Sequence, residues 1–215
     1  MCRFLNIIMI NKMLLVFFYL AFTITEAQTQ NSFGSKVGVN LTNLYTREIN
    51  NHNILFGINA GIVAVFPISK HFAIQSEILF SQNGAELKYN NVFAVGKVKF
   101  ILNYITVPML LRFRLTESLS FQTGAYIAYL VDVNIKNETN NDLLDSEEYL
   151  GTKNIKRIDF GLSGGLEFQI APVSIGFRYN YGMSNIEKNK INQVDTYPFR
   201  KSKNSITSIY TVLRF

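Results

Sequence analysis

Charged residues recur at alternate positions within apolar segments of this chain, and the chemistry they offer is ion pairing. Alternate side chains of an extended segment point to opposite faces, so these residues are predicted to share a face turned away from the apolar side chains. Because an unpaired charge is costly to remove from water, mixed carboxylates and guanidinium groups on an enclosed face should pair. The residues concerned are Glu77, Arg112, Arg157, Asp159, Glu167, Arg178 and Arg214. The alternative is a narrow ion path lined by Arg112, Arg178 and Arg214.

Two histidines, His52 and His71, are the remaining candidates for acid–base chemistry. A lipase or protease needs a base, a nucleophile or paired acids, and an oxyanion site close together. Asp132 and Asp159 flank one long polar connection and are the acids that could approach His52, but no serine elbow or other catalytic motif joins them. The acidic residues also lack the spacing of a calcium-binding EF-hand. We therefore predict a non-enzyme, with no catalytic residue, no cofactor and no metal ligand.

The composition excludes several classes of protein. The 215 residues are 48% hydrophobic and only 17% charged, with 18 Phe and no Trp, which argues against a disordered, collagen-like or disulfide-stapled chain. The net charge of +6 is a modest surplus without a clustered basic helix, so no nucleic-acid partner is expected. Mean hydropathy is +0.12, yet after the first two dozen residues no apolar run approaches the ~20 residues of a membrane-spanning helix. A soluble all-β protein and a membrane β-barrel remain.

Residues 1–27 are predicted to be a cleaved secretory signal peptide, which leaves 28–215 as the mature domain. Lys12 supplies the positive start, residues 13–22 form the apolar core, and small residues occupy the −3 and −1 positions of the cleavage site. The apolar run is too short for a membrane anchor. Cys2 is the only cysteine and precedes the apolar core, so neither a lipoprotein nor a disulfide is expected in the mature chain.

From residue 35 onward the pattern has a period of two, which predicts β-strands with two different faces. In the segment 54–66 the even positions are apolar, while the odd positions include Asn59 and two glycines. Pro108 interrupts the fourth segment and cannot donate a ladder hydrogen bond, so a β-bulge is predicted there. Eight segments alternate in this way: 35–41, 54–66, 72–80, 103–113, 119–131, 157–170, 173–182 and about 205–215.

The connections between these segments alternate strictly between long and short. The short ones are 67–70, 114–118 and 171–172, and the long ones are 42–52, 83–97, 132–156 and 183–204. An even-stranded outer-membrane barrel has short turns on the periplasmic side and long loops outside. A soluble sandwich has no reason to sort its connections by length. The pattern therefore predicts a barrel with both mature termini in the periplasm.

Aromatic residues of the apolar face gather at both ends of the predicted strands. Beside short connections or the C-terminus are Phe66, Phe72, Phe113, Phe121, Phe168 and Phe215; beside long connections are Phe56, Phe80, Tyr129, Phe160 and Tyr181. Two aromatic rings at opposite strand ends are typical of the girdles that flank the apolar band of an outer-membrane barrel.

Several segments resemble those of a known family. They are FGSKVGVNLTNL at 33–44, NYITVPMLLRF at 103–113, IDFGL at 158–162, YNYG at 179–182 and the terminal Phe215. With the signal peptide, they resemble the bacterial outer-membrane β-barrel domains often called PorT-like, over nearly the whole mature chain. The resemblance implies an eight-stranded barrel, and the family's namesake is associated with a protein-secretion apparatus. Phe215 fits the aromatic terminus by which barrel-assembly machinery recognises its clients.

We predict an all-β chain: one eight-stranded antiparallel up-and-down transmembrane β-barrel in the bacterial outer membrane. Eight strands enclose an interior just wide enough for side chains to fill, so the inward charges should plug it. The leading function is structural or interaction-based, with an acidic and a basic loop contacting each other, lipopolysaccharide, or an envelope or secretion assembly. The alternatives are a small porin-like pore and, third, a lipid-modifying enzyme.

Overall fold

The computed structural model describes residues 31–45, 52–91, 94–139, 146–149, 156–185 and 202–215. All of them belong to one compact unit, Asn31–Phe215. The predicted signal peptide, residues 1–27, lies outside the described residues and remains a prediction. Within the described ranges, no helix has the length and apolar character needed to cross a bilayer.

β-Strands account for nearly all of the described residues. In chain order they are β1 (Ser32–Tyr45), β2 (His52–Asn53), β3 (Leu55–Pro67), β4 (Phe72–Asn91), β5 (Ala94–Arg114), β6 (Leu119–Thr139), β7 (Ser146–Tyr149), β8 (Ile158–Ile170), β9 (Val173–Gly182) and β10 (Lys203–Arg214).

Eight of these ten strands close into an antiparallel barrel. Each long strand pairs with the next long strand along the chain, and β10 returns to pair with β1. Val37 of β1, for example, lies opposite Thr211 of β10 on one side and Ala60 of β3 on the other. The two short strands lie outside this ring, where β2 pairs with β4 and β7 with β6. The predicted eight-stranded antiparallel barrel is confirmed.

Side-chain burial alternates along every barrel strand, with the apolar residues outside. Along β3, Ile58 and Ile62 are more than half exposed, whereas Asn59 between them is 3% exposed. The outward face continues around the barrel with aromatic side chains near the strand ends, including Phe56, Phe160 and Phe168. This arrangement is the reverse of a soluble protein and matches a wall that faces lipid.

Three short turns join strands at one end of the barrel, which we call the short-turn end. The backbone N–H groups of Ile68 and Ser69 donate to Phe72 O at 2.9 and 3.0 Å, and those of Leu115 and Thr116 donate to Leu119 O at 2.8 and 3.1 Å. Ala171–Pro172, a cis peptide, forms the third turn. The predicted short connections are confirmed.

The long connection predicted at 83–97 is wrong, because β4 and β5 continue through it. Their pairing runs without a shift from Asn83 opposite Leu102 to Asn91 opposite Ala94. β6 likewise extends to Thr139 and stays paired with β5 as far as Gly96. The two-faced alternation fades in these extensions because both faces can be polar where a sheet stands in water, while backbone pairing needs no apolar face. The other predicted long connections lie partly outside the described residues.

The β-bulge predicted at Pro108 is also wrong. Pro108 lies in register opposite Tyr126, and the β4–β5 ladder keeps one register on both sides of it. The register shift between β5 and β6 lies on the N-terminal side of Pro108, where Asn103 pairs with Asp132 and Tyr104 with Leu130. The missing donor of proline interrupts a ladder locally without forcing an extra residue into a strand.

Candidate functional site

The barrel interior holds one connected group of polar side chains, the lumen network. Each member occupies an inward position of its strand in the half of the barrel nearer the short-turn end. Together they come from seven of the eight barrel strands, all except β3. The members are Lys36, Gln75, Glu77, Arg112, Gln122, Glu167, Arg178, Tyr210 and Arg214.

Glu77 lies at the centre of a fully buried ionic trio. Its Oε2 accepts from Lys36 Nζ at 2.9 Å and from Arg178 Nη1 at 2.7 Å, while its Oε1 accepts from Arg178 Nη2 at 2.8 Å. Gln75 Nε2 donates to the same carboxylate at 2.5 Å. The bidentate arginine–carboxylate geometry is among the strongest hydrogen-bonded ion pairs, and it ties β4 to β9 across the lumen.

Glu167 holds a second trio nearer the short-turn end. Arg112 Nη1 donates to its Oε1 at 2.8 Å, and Arg214 donates to the same oxygen from the partly buried rim. Its Oε2 accepts from Gln122 Nε2 at 2.9 Å. Charge-assisted bonds therefore converge on this carboxylate from three other strands, β5, β6 and β10.

Gln122 and Tyr210 join the two trios. Gln122 Oε1 accepts from Arg178 Nη2 at 2.6 Å and from Tyr210 Oη at 3.2 Å. The tyrosine ring also lies beside the cations, with Lys36 Nζ 3.6 Å from its centroid and Arg178 Cζ at 5.1 Å. The network thus satisfies its carboxylates by direct contacts, and it contains four cations for two carboxylates.

The third inward carboxylate, Asp159, belongs to a separate cluster toward the opposite end of the barrel. It is 3% exposed and accepts from Tyr126 Oη at 3.1 Å, from Asn204 Nδ2 at 2.7 Å and from Ser184 Oγ. Neutral donors hold this carboxylate, in contrast to the ionic contacts of the lumen network.

Apolar and amide side chains fill the remaining interior. One apolar group near Asp159 consists of Ala85, Leu102, Tyr104, Tyr126, Ala128, Leu130 and Val133. At mid-height, Asn40 joins β1 to its neighbours: its Nδ2 donates to Ser81 Oγ at 2.9 Å, and its Oδ1 accepts from Asn59 Nδ2 at 2.6 Å and Ser208 Oγ at 2.7 Å. A small cavity of about 20 Å³ lies beside these amides. Space of ~10–15 Å³ is enough for one water molecule.

Of the residues predicted to face the lumen, the structure brings two sets together. Glu77 contacts Arg178, and Glu167 contacts both Arg112 and Arg214. Asp159 does not join either set.

Arg157 is exposed, so its predicted inward position is wrong. It lies immediately before β8, and its Nη1 donates to Tyr129 Oη at 3.1 Å.

Four network members were missing from the sequence-predicted set, namely Lys36, Gln75, Gln122 and Tyr210. Each occupies a polar position of the same alternation that marked Glu77 and Arg178, so the signal was present. A search for charged residues overlooks uncharged members such as Gln122. This amide belongs to the network because it donates to Glu167 and accepts from Arg178, which lie on other strands.

The two histidines lie toward opposite ends of the barrel. His71 is exposed in a short turn, and His52 lies in β2, which pairs with the far end of β4. In the described part of the chain, no three His, Cys, Asp or Glu side chains are arranged to hold a metal ion.

The sequence profile of the "Outer membrane protein beta-barrel domain" family matches residues 26–188. No curated protein matches the chain significantly. Solved structures with a similar fold include Ail of Yersinia pestis bound to the heparin analogue sucrose octasulfate, 14% identical with a TM-score of 0.48, covering 87% of this chain and 100% of that one. Neisserial surface protein A is 13% identical with a TM-score of 0.45, covering 86% and 97%.

The family match spans well over half of the sequence, and the described strands form the closed, lipid-facing barrel that such a domain requires. The chain therefore belongs to the outer membrane protein beta-barrel domain family and is an outer-membrane β-barrel protein.

Proposed function

We propose that this barrel is non-catalytic and has a structural or interaction role. In this role the lumen is plugged, and the barrel wall anchors a contact surface outside the bilayer. The observation that carries the proposal is the lumen network. Arg112 and Arg214 are bound to Glu167, and Arg178 is bound to Glu77, with contacts that cross the barrel interior. These contacts engage the three arginines that could have lined an ion path, which supports a closed lumen.

The contact surface is the extension of β4, β5 and β6. These strands have 20, 21 and 21 residues, whereas a tilted strand crosses a bilayer with ~9–11. Their short-turn ends are level, since Phe72 pairs with Phe113 and Phe113 with Phe121. About ten residues of each strand therefore extend beyond the bilayer on the opposite side.

The register of this extension suits an aqueous surface. Glu86, Lys99, Lys136 and Glu147 fall in one row across β4, β5, β6 and β7. Two neighbouring pairs of the row carry opposite charges, Glu86 with Lys99 and Lys136 with Glu147, which stabilises a sheet, whereas Lys99 opposite Lys136 is a like-charge pair. Such a row belongs in water or against a polar partner. Lipopolysaccharide and an envelope protein are both partners of that chemistry.

The orientation and the assembly route are also part of the proposal. Phe215 N donates to Phe33 O at 2.9 Å, so both ends of the described barrel lie at the short-turn end, the periplasmic side in outer-membrane barrels. Phe215 is 80% exposed and accessible to barrel-assembly machinery. The resemblance to PorT-like domains supports a place beside a secretion or envelope assembly.

Cross-linking in intact envelopes tests the interaction role. The tagged protein is compared with a variant in which residues 87–98 are replaced by Asn-Gly, a two-residue hairpin turn that joins the paired Glu86 and Lys99. We expect specific envelope proteins to be recovered with the full-length strands and lost with the shortened ones. Asn-Gly in place of residues 92–93 alone controls for the new turn. Equal recovery from all three proteins would refute the extension as the contact surface.

A further inference from the structure

The small cavity at mid-height borders the lumen network on its cationic side. Both cations of the Glu77 trio line it, and the rest of its polar wall consists of carboxamide and hydroxyl groups, with no carboxylate among its described lining residues. We propose that this mid-barrel cavity binds a small monovalent anion of the size of chloride. The lining residues central to the argument are Lys36, Asn59, Tyr126, Arg178, Asn180 and Ser208.

The Glu77 trio carries a net positive charge, which a bound anion would neutralise. Lys36 and Arg178 are each 2% exposed and share the single carboxylate of Glu77, which is 1% exposed, so one positive charge is left over. An uncompensated charge in a buried site is costly. The second trio cannot supply the balance, because Arg112 and Arg214 around Glu167 are also two cations on one carboxylate.

Asp159 does not neutralise the surplus directly. Asp159 is absent from the cavity wall. Tyr126 does line the cavity, and its Oη donates to Asp159 Oδ2 at 3.1 Å. Its oxygens also accept from Asn204 and Ser184. The tyrosine therefore stands between this carboxylate and the cavity.

Hydrogen-bond donors remain for an occupant. Arg178 Nε is buried with no hydrogen-bond partner among the described residues. The Lys36 ammonium has three N–H donors, of which one meets Glu77 and another side faces the Tyr210 ring. Both residues line the cavity, so two cations with unused donors border the same small space.

The volume sets the class of anion. At about 20 Å³ the cavity has room for one or two occupants of the size of water, which suits a monatomic anion better than a phosphate or an organic carboxylate. Asn59 also lines the cavity, and its Oδ1 lacks a hydrogen-bond partner among the described residues. Because this atom needs a donor, the arrangement fits a halide ion accompanied by one water molecule.

Bromide provides a direct test, because it replaces chloride and scatters X-rays anomalously. Crystals of the detergent-purified full chain are grown in sodium bromide, and data are collected at the bromine absorption edge. We expect an anomalous peak within ~3.5 Å of Lys36 Nζ and Arg178, at hydrogen-bonding separation for a large anion. A cavity without anomalous density, or with water alone, would overturn the proposal.

Stability in solution gives an independent readout. Urea unfolding in micelles is compared in sodium bromide and in sodium gluconate at equal ionic strength, since gluconate is too large for the cavity. For a dissociation constant of ~10 mM, about 0.3 M bromide should raise the folded-to-unfolded ratio about thirty-fold. No difference between the two salts would contradict the proposal.

A matched pair of variants assigns the effect to the cavity. Lys36→Met removes the surplus charge and leaves the bidentate Glu77–Arg178 pair, so bromide dependence should disappear. Lys203→Met should keep the bromide dependence. Lys203 begins β10 at the end of the barrel opposite the short turns, and its ammonium lies 5.9 Å from the Tyr181 ring. Bromide dependence that persists in Lys36→Met would refute the site. If Lys36→Met fails to fold, the anomalous density and the salt comparison still decide.

Discussion

At the scale of single residues, each carboxylate of the lumen network joins cations from different strands. Glu77 of β4 holds Lys36 of β1 and Arg178 of β9. Buried ion pairs are not automatically stabilising, because desolvation offsets the attraction, but removal of one partner leaves the others uncompensated. The network therefore makes the barrel depend strongly on its carboxylates.

Glu77→Gln tests this dependence. The change keeps the size of the side chain but leaves Lys36 and Arg178 without a buried counter-charge, so we expect a loss of about 3–5 kcal/mol in the free energy of unfolding. Urea unfolding in detergent micelles measures it. Glu117→Gln, in an exposed short turn, should stay within ~0.5 kcal/mol of the unchanged protein. A Glu77→Gln barrel as stable as that control would contradict the assigned role.

At the scale of the strands, the sequence predicted the strand positions and the orientation of their side chains well where lipid lies on one side and the packed lumen on the other. There Ile58 and Asn59 must face opposite ways, and period-two alternation follows. It predicted poorly in the extensions, where the alternation is weak although Glu86 still lies opposite Lys99 in the ladder. Nor could it predict that Glu77 meets Arg178, 101 residues later, because that contact depends on barrel closure as well as on the alternation within each strand.

Gly84 marks the point where β4 enters its extension. Its φ is +145° and an added Cβ would lie 1.8 Å from Phe100 O, so Gly84→Ala combines backbone strain with a clash. We expect a loss of about 1–3 kcal/mol and faster amide hydrogen exchange in the β4–β5 extension. Gly164→Ala is the matched control, because an added Cβ there meets nothing within 4 Å. Equal effects of the two changes would show that the close approach at Gly84 does not matter.

At the scale of the whole molecule, the barrel is built inside out for lipid, with apolar side chains outside and charged ones within. Closure pairs β10 with β1 over twelve residue pairs, from Gly34–Arg214 to Tyr45–Lys203, and this leaves the ring without a free edge, as a spanning sheet requires. Closure and the interior network reinforce each other, since Lys36 lies on β1 and Tyr210 on β10.

A closed barrel of this kind should resist detergent until it is heated. We expect the purified protein to migrate faster in an SDS gel without boiling than after boiling, because the unheated barrel stays compact. Glu77→Gln should lower the temperature at which the slower band replaces the faster one. Identical migration of boiled and unboiled protein would count against a stable closed barrel.

Conductance across a planar lipid bilayer tests most directly whether the lumen network plugs the barrel. Protein shown to be folded by its gel mobility is inserted, and current is recorded at high salt concentration. With Arg112, Arg178 and Arg214 bound to buried carboxylates, we predict no stable single-channel steps. Regular steps that disappear on changing Arg112 or Arg178 would contradict the plugged barrel and establish a pore lined by these arginines.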